Sequence, residues 1–180
     1  TIGGDIKAKS RQTVQQSYHL LFLSRYVVRT LADSGIPSMV LKGCAAAEYY
    51  PVPELRKSGD VDLLLENEEA VEAACRCLEA HGFRRAEVQH ANHHLVCVSP
   101  DQIDIELHMT LTEPFDEQRV NDRLLECQAE FFRHCREEEI MGIALPVPEN
   151  PYFAFYLLLH MLQHFLRAGF GLKLLCDWVV

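Results

Sequence analysis

The sequence has no long apolar run and no leader-like start. Its longest apolar tracts, residues 20–23 and 152–159, are far shorter than the roughly 18 residues that a membrane span requires. The first residue is Thr1 rather than Met, and no pattern of basic, apolar and small residues follows it. We therefore expect a soluble protein without a membrane partner, whose N-terminus is trimmed or partly disordered.

Basic residues are also few. Lys and Arg number 17 against 26 Asp and Glu, which gives a formal net charge of −9. Extended binding of nucleic acid rests on many cationic contacts to phosphates, so this balance argues against it. A small nucleotide held through metal ions needs no such surface.

The seven cysteines include no CxxC pair and follow no evenly spaced framework. Free thiols are typical of a reducing compartment, so we predict a cytoplasmic protein. Cys75 and Cys77 lie two apart on a predicted helix and face different directions, and we expect no redox function from them.

Internal repeats, low-complexity tracts and flexible linkers are absent from the 180 residues. A chain of this length has the size of one domain, with or without a helical appendage. We expect an N-terminal helix at 1–36 packed on a catalytic core at 37–110, followed by a mixed segment and C-terminal helices at 111–180. Residues 172–180 end apolar, without Gly, Pro or a polar cap, so we expect the natural chain to continue beyond Val180.

Apolar spacing and turn residues predict an alternation of helices and strands up to residue 110. In order, the elements are a helix at 11–34, a strand at 38–41, a compact helix between Gly43 and Pro51, a strand at 60–66, a helix capped by Asn67, and strands at about 83–90, 93–99 and 102–109. The helix after Asn67 is expected to bury Val71, Ala74, Cys75 and Leu78.

The pattern changes after residue 110. A helix is predicted near 117–126, with short strands before Pro146. Asn150 and Pro151 occupy the favoured N-cap and N1 positions of a further helix that runs to Gly169, and a last helix begins near Gly171.

Two predicted strands carry acidic residues at every second position. Asp60 and Asp62 share one face of the first strand, and Asp104, Glu106 and His108 share one face of the later one. Carboxylates on one face repel each other, and a divalent cation is the usual solution. A lone pair of this kind is more often a solvated strand face, so the surrounding sequence decides between the two interpretations.

The surrounding sequence offers groups that bind phosphate. Lys42 and Gly43 stand at a strand-to-helix junction, where the backbone N–H groups and the helix dipole favour an anion. Arg56 and Lys57 lie in the loop that leads to Asp60, and they are expected to reach the same phosphates.

The motifs VLKG at 40–43, LR at 55–56, GDVDLLL at 59–65 and IELH at 105–108 resemble the uncharacterised nucleotidyltransferase family of the DNA polymerase beta superfamily. The resemblance covers roughly residues 38–110. A weaker match extends to HMLQH at 160–164 and LKLLCD at 172–177.

This resemblance implies an α/β fold, with a mixed sheet flanked by helices and with C-terminal helices. It also implies a site in which three carboxylates bind Mg²⁺ or Mn²⁺ and a nucleoside triphosphate, with ATP as the expected substrate. Strand alternation alone leaves Asp104 and Glu106 open as the third acid, and the resemblance favours Glu106 because Leu107 and His108 follow it. The implied catalytic residues and metal ligands are Asp60, Asp62 and Glu106, and the implied nucleotide contacts are Lys42, Gly43, Arg56, His108, His160 and Lys173.

One position departs from the family pattern. The glycine is commonly followed by Gly or Ser, whereas Cys44 follows Gly43 here. We therefore expect phosphate binding to depend more on Lys42 and Arg56.

Histidines elsewhere offer a rival metal site. His160 and His164 have the spacing of a zinc pair, but HMLQH lacks the glutamate of HExxH, which favours histidines that line a pocket. His90, His93 and His94 cluster at a predicted hairpin, yet adjacent strand residues point to opposite faces and cannot all serve one metal without a bulge.

Lys173 has two interpretations on the last helix. It lies four residues before Asp177, a spacing typical of a surface ion pair. Alternatively, Lys173 contacts the substrate.

The function that these patterns favour is metal-dependent transfer of a nucleoside monophosphate from a triphosphate to a small-molecule, peptide or protein acceptor. The alternative is a non-catalytic nucleotide-binding or regulatory protein on the same fold, such as a toxin–antitoxin component or an accessory to peptide biosynthesis. The presence of all three carboxylates favours the enzyme.

Overall fold

A five-stranded mixed sheet with helices packed against it forms the centre of the structure. The computed structural model describes residues 2–87, 93–167, 169 and 171–180. Its elements in chain order are α1 (Ile2–Asp33), β1 (Met39–Val40), α2 (Cys44–Ala47), β2 (Val61–Leu64), α3 (Glu68–Ala80), β3 (Arg84–Arg85), β4 (His94–Val98), β5 (Asp104–His108), α4 (Gln118–Arg133), β6 (Cys135–Ile140), β7 (Ile143–Pro148), α5 (Asn150–Arg167) and α6 (Leu172–Val179). The predicted order of elements up to residue 110 and the predicted α/β class are confirmed.

The sheet has the strand order β1-β2-β5-β4-β3. Strands β2 and β5 are parallel, and the other neighbouring pairs are antiparallel. The register places Asp62 opposite Glu106 and Leu64 opposite His108. The two strands with alternating acidic residues are therefore neighbours at the centre of the sheet.

The hydrophobic core lies between this sheet and the helices α1 and α3. Leu31 of α1, Leu63 of β2 and Leu107 of β5 have no exposed surface. Asn67 caps α3, because its Oδ1 accepts a hydrogen bond of 2.9 Å from the backbone N–H of Ala70. The predicted buried face of this helix is confirmed at Val71, Ala74, Cys75 and Leu78.

A two-stranded hairpin, β6-β7, packs against this core. Ile140 pairs with Ile143, and the two residues between them, Met141 and Gly142, have φ values of 46° and 81°. Positive φ at both central positions defines the type I′ turn that matches the twist of a hairpin. Strand β7 contacts α1 and β1, so the hairpin joins the later part of the chain to the core.

Several predicted boundaries differ from the structure. Helix α1 begins at Ile2 rather than at residue 11, because residues 5–9 are exposed and carry no apolar periodicity that could reveal a helix. Helix α4 runs to Arg133 rather than to 126. The strand predicted at 83–90 is present as Arg84–Arg85, and residues 88–90 lie outside the described residues.

The predicted N-cap of α5 is wrong by one residue. The first helical hydrogen bond runs from the Phe153 N–H to the carbonyl oxygen of Glu149, over 2.9 Å. The Asn150 Oδ1 instead accepts hydrogen bonds from Tyr49 and Arg136, 2.7 and 2.9 Å away. The Asn150 side chain therefore makes tertiary contacts instead of the helix cap that the local sequence predicts.

None of the helices in the described part of the chain combines the length and the apolar character that crossing a membrane requires.

Candidate active site

Two of the three predicted carboxylates, Asp62 and Glu106, meet at the centre of the sheet, whereas Asp60 lies just before β2 and outside the group of ligand atoms that Asp62, Glu106 and His108 form. Asp62 is 1% exposed, Glu106 on the neighbouring strand is half-buried, and Asp60 precedes β2 and is also partly buried. Asp62, Glu106 and His108 each offer a ligand atom within 4.8 Å of the other two. Asp104, the other acid of the alternating series, is exposed.

Two cationic or hydrogen-bonding groups converge on one oxygen of Asp62. Its Oδ1 lies 3.0 Å from Nζ of Lys42 and 3.1 Å from Nε2 of His108. The same His108 nitrogen lies 3.3 Å from Oε2 of Glu106. The second oxygen, Oδ2 of Asp62, is buried and has no hydrogen-bond partner among the described residues. A buried carboxylate oxygen without a donor suits coordination of a cation.

The electrostatic environment shifts the pKa values of Asp60 and Asp62 in opposite directions. Burial alone would raise the pKa of Asp62, but Lys42 and His108 hold this pKa below its usual range. Burial and the nearby charge of Asp62 raise the pKa of Asp60.

The basic partners respond to the same carboxylates. Burial would lower the pKa of Lys42, yet the neighbouring acids, Asp62 foremost, raise it. Burial would likewise lower the pKa of His108, and its hydrogen bonds to Asp62 and Glu106 raise it. An ionised Asp62 paired with the Lys42 ammonium group is therefore the stable state of this cluster.

Gly43 occupies a backbone conformation that favours glycine. Its φ is +68°, and an added Cβ would lie 3.4 Å from Oγ of Ser58 and 3.6 Å from the carbonyl oxygen of Asp60. The backbone of the Lys42-Gly43 junction thus approaches the start of β2.

Helix α2, which follows Gly43, has only four residues, so the helix dipole predicted to favour an anion at this junction is small. The Cys44 thiol is buried and donates to Oγ of Ser24, 3.6 Å away.

Arg56 is held by protein groups. Its side chain is 3% exposed, and its Nε and Nη2 donate to the two carboxylate oxygens of Asp177 over 2.8 and 2.7 Å. Its Nη1 donates to the carbonyl oxygen of Gly43 and to Oγ of Ser58, and Tyr50 adds a hydrogen bond of 2.6 Å to Asp177. Of the two interpretations of Lys173, the surface pair with Asp177 is wrong, because Asp177 is buried against Arg56.

A cleft of about 340 Å³ lies beside the carboxylates. Lys42 lines it and connects it to Asp62 through their ion pair. Lys173 is exposed on its wall, without an ion pair among the described residues. The His160 ring stacks on Tyr156 at 5.9 Å, and burial lowers the pKa of His160 to about 3, so this side chain is neutral at pH 7. Of the predicted site residues, the cleft wall includes Lys42, Gly43, Arg56, Asp60, His160 and Lys173, whereas Asp62, Glu106 and His108 lie in the adjoining cluster.

A family model described as "Uncharacterised nucleotidyltransferase" matches residues 2–180 of the chain. The chain belongs to this nucleotidyltransferase family. The resemblance inferred from the VLKG, GDVDLLL and IELH motifs is therefore confirmed. No curated protein matches the chain in sequence.

Solved structures similar to this nucleotidyltransferase family member share its fold at low sequence identity. An antigenic nucleotidyltransferase-like protein from Paracoccidioides brasiliensis is 16% identical, with 89% of this chain and 73% of that chain covered and a TM-score of 0.55. The antibiotic-resistance factor ANT(2'')-Ia is 12% identical, with 90% and 82% covered and a TM-score of 0.57. The lincosamide antibiotic adenylyltransferase LnuA, in a lincomycin-bound crystal structure, is 12% identical, with 85% and 90% covered and a TM-score of 0.52.

Two features of this family member were missed by sequence reasoning. The buried pair of Arg56 with Asp177 joins residues 121 positions apart. The sequence feature that could have revealed it is Asp177 itself, the single acidic residue in the largely apolar segment at 172–180. The buried Tyr156 stacks on His160, which lines the cleft, and its helical spacing of four from His160 was the available signal.

The histidines near β4 are arranged differently from the prediction. The strand begins at His94, so His93 lies in the preceding turn, and strand alternation does not apply to it. The rings of His93 and His94 are 4.4 Å apart, and they lie 5.5 and 5.0 Å from the ring of His108. The expectation that adjacent histidines point apart is therefore wrong. His90 lies outside the described residues.

Proposed function

We propose that this protein is a metal-dependent nucleotidyltransferase that transfers a nucleoside monophosphate from a nucleoside triphosphate, with ATP as the first candidate, to a hydroxyl group of an acceptor. The observation that carries the proposal is the pairing of Asp62 with Glu106 on adjacent parallel strands, next to Asp60 and a cleft lined by cationic groups. In this proposal residues 37–110 carry the catalytic carboxylates, and the helices within 111–180 complete the cleft.

The carboxylate cluster fits a hard divalent cation such as Mg²⁺. Oxygen ligands are what this class of ion prefers, and Oδ2 of Asp62 is buried without a partner among the described residues. Asp60, Asp62 and Glu106 would hold the metal. When bound, Mg²⁺ supplies charge neutralisation to the phosphates and to the attacking and departing oxygens.

The remaining residues of the cleft have roles that follow from their contacts. Lys42 pairs with Asp62 and lines the cleft, so its ammonium group can turn to a phosphate while it stays near the carboxylates. Lys173 offers a second cation on another part of the wall. Arg56 supports the wall through Gly43 and Asp177. His108 orients Asp62 and Glu106 through one shared N–H group.

The acceptor that we favour among small molecules, peptides and proteins is a small molecule with a hydroxyl group. Support comes from the fold neighbours, because one is an antibiotic-resistance factor and another is an adenylyltransferase solved with lincomycin bound. A cleft of about 340 Å³ beside the carboxylates also has the size of a small-molecule site.

The sharpest test uses Asp60→Asn and isothermal titration with ATP, with and without Mg²⁺. Asp60 has no ion pair among the described residues and is repelled by Asp62, so its neutralisation should leave folding intact. We expect Mg²⁺-dependent ATP binding to weaken by roughly tenfold or more, since a metal ligand is lost. Asp104→Asn, on the exposed part of β5, is the matched control and should bind as the wild type does.

Unchanged Mg²⁺-dependent affinity in the Asp60 variant would contradict the assignment of the site. Tight binding of ATP by the wild type without turnover of any hydroxyl acceptor would instead favour the non-catalytic alternative.

A further inference from the structure

Three histidine rings meet where β4 and β5 lie side by side. His94 and His108 are directly opposite each other in the antiparallel pair, and His93 joins them from the turn before β4. One ring nitrogen of each lies within 4.8 Å of the corresponding nitrogens of the other two. Three imidazoles that converge in this way form a nitrogen-rich set of ligands.

Two of the ring nitrogens are buried and without a partner among the described residues. They are Nδ1 of His93 and Nδ1 of His108, in residues that are 9% and 5% exposed. Buried polar atoms are nearly always paired, so Nδ1 of His108, which faces the other two rings, indicates a group that the protein binds there. Nε2 of His93 and Nδ1 of His94 are 3.0 Å apart, within hydrogen-bond distance of each other, and a metal ion bound by both nitrogens would replace that hydrogen bond. Two nitrogens on one tetrahedral zinc ion are separated by about 3.3 Å.

The orientation of His108 matches that of a supported metal ligand. Its Nε2 is shared between Asp62 and Glu106, at 3.1 and 3.3 Å. Histidines that bind a metal commonly donate their other N–H group to a carboxylate, which fixes the ring and increases its basicity. In His108 this leaves Nδ1 as the nitrogen for the metal.

We propose that His93, His94 and His108 bind a divalent transition-metal ion of the zinc class, at a site next to the carboxylate cluster. Neutral imidazole nitrogens suit Zn²⁺, Ni²⁺ or Cu²⁺, whereas Mg²⁺ prefers the oxygen ligands of Asp60, Asp62 and Glu106. The two sites share His108 as the link between them. This site does not depend on nucleotidyl transfer, because its ligands and its ion differ from those of the proposed function.

Titration of the metal-stripped full chain with Zn²⁺, without nucleotide, tests the site directly. Isothermal calorimetry should show one tight equivalent, which excess Mg²⁺ does not displace. His93→Gln and His94→Gln should each weaken Zn²⁺ binding by roughly 100-fold, since loss of an outer partner of a ligand alone costs about 10–100-fold. Circular dichroism should confirm that both variants remain folded.

Matched controls separate this site from the histidine pair on α5 and from the carboxylate cluster. His164→Gln removes one histidine of the HMLQH pair on α5 and should leave Zn²⁺ affinity unchanged. Asp60→Asn should also retain Zn²⁺ binding while it loses Mg²⁺-dependent ATP binding, so a failure of one proposal is distinguishable from a failure of the other.

A gain-of-signal variant covers the case in which the glutamine variants fail to fold. His94→Cys replaces an imidazole by a thiolate, so Co²⁺ bound there should show an intense sulfur-to-metal charge-transfer band that the wild type lacks. Absence of this band in the folded variant would overturn the proposal. So would wild-type protein that binds no Zn²⁺, affinity unaffected by both His93→Gln and His94→Gln, or loss of binding in the His164 variant alone.

Discussion

At the scale of single residues, side-chain position along β5 determines which acid can serve the site. Glu106 lies opposite Asp62 and within 3.3 Å of His108, whereas Asp104 is exposed at the start of the strand and pairs with Val98. The two acids share a face of the strand, but only Glu106 has a partner in the carboxylate cluster. Proximity to Asp62 therefore supports the choice of Glu106 that the IELH motif suggested.

We predict that Glu106→Gln lowers the single-turnover rate by about 100-fold, a loss of about 2.7 kcal/mol in transition-state stabilisation. The substitution keeps the shape of the side chain and removes the charge that would help to hold the metal and favour deprotonation of the acceptor hydroxyl. Asp104→Asn should change the rate by less than about threefold, because its side chain is exposed. Single-turnover assays with ATP and an identified acceptor provide the measurement. A larger loss in the Asp104 variant would transfer the role of third ligand to Asp104.

Residue-level prediction succeeded where strand alternation applies and failed where the chain leaves the strand. Glu106 and His108 were placed on one face of β5 from their spacing alone, and their side chains lie 3.3 Å apart. The ring of His93 could not be placed in this way, because the residue lies in the turn before β4 and its direction depends on the turn. Arg56 was expected at the phosphates, yet its guanidinium group contacts Asp177, a residue far along the chain that local sequence does not identify as a partner.

At the scale of elements, the buried ion pair between Arg56 and Asp177 connects α6 to the loop before β2. Both side chains are nearly inaccessible, at 3% and 2% exposure, and Tyr50 and Gly43 complete their hydrogen bonds. Helix α6 has only eight residues and is otherwise largely exposed. The buried pair is thus a main contact between this helix and the wall of the cleft.

We predict that Arg56→Met destabilises the fold by about 3 kcal/mol or more, because it leaves the carboxylate of Asp177 buried and unpaired. The double variant Arg56→Met with Asp177→Leu should be less destabilised than the single variant, since it removes both charges together. Urea unfolding followed by circular dichroism measures both. Arg29→Met, which breaks the exposed pair of Arg29 with Asp33, is the control and should cause no measurable change. A single variant as stable as the wild type would show that α6 is held by other contacts.

Element prediction depended on whether a segment has a buried face. The face of α3 was identified in full, because Val71, Ala74, Cys75 and Leu78 repeat at helical spacing and lie in the core. The first turns of α1 were missed, because an exposed helix carries no apolar stripe. The start of α5 was displaced by one residue, because Asn150 binds Tyr49 across the fold and does not cap its own helix.

At the scale of the whole molecule, the charge is distributed unevenly. The net charge is −9, yet Lys42 and Lys173 both line one cleft beside the carboxylates, where the charge of Arg56 is paired with that of Asp177. Two lysines close together in an acidic molecule suit a compact anion such as a triphosphate, and they do not suit a long polyanion. The average charge argued against extended nucleic-acid binding from the sequence, but the position of these two lysines required the folded chain.

The buried histidine of the cleft makes the stability of the whole molecule depend on pH. Burial lowers the pKa of His160 to about 3 in the folded state, with smaller contributions from Lys42 and His164. In the unfolded chain the pKa of a histidine is about 6.5. Between these two values the unfolded state binds a proton that the folded state does not, so stability is present at neutral pH and falls as the pH drops below about 6.5.

We predict that His160→Gln reduces this acid sensitivity. On acidification from about pH 7 to about pH 5, the variant should lose roughly 1–2 kcal/mol less unfolding free energy than the wild type, because one proton uptake by the unfolded state has been removed. Urea unfolding at the two pH values measures the difference, and His81→Gln, at an exposed position, is the control that should follow the wild type. Parallel losses in the wild type and the His160 variant would mean that His160 accepts a proton in the cleft as readily as in the unfolded chain. The wall beside the carboxylates would then be cationic at mildly acidic pH, and nucleotide binding would strengthen there.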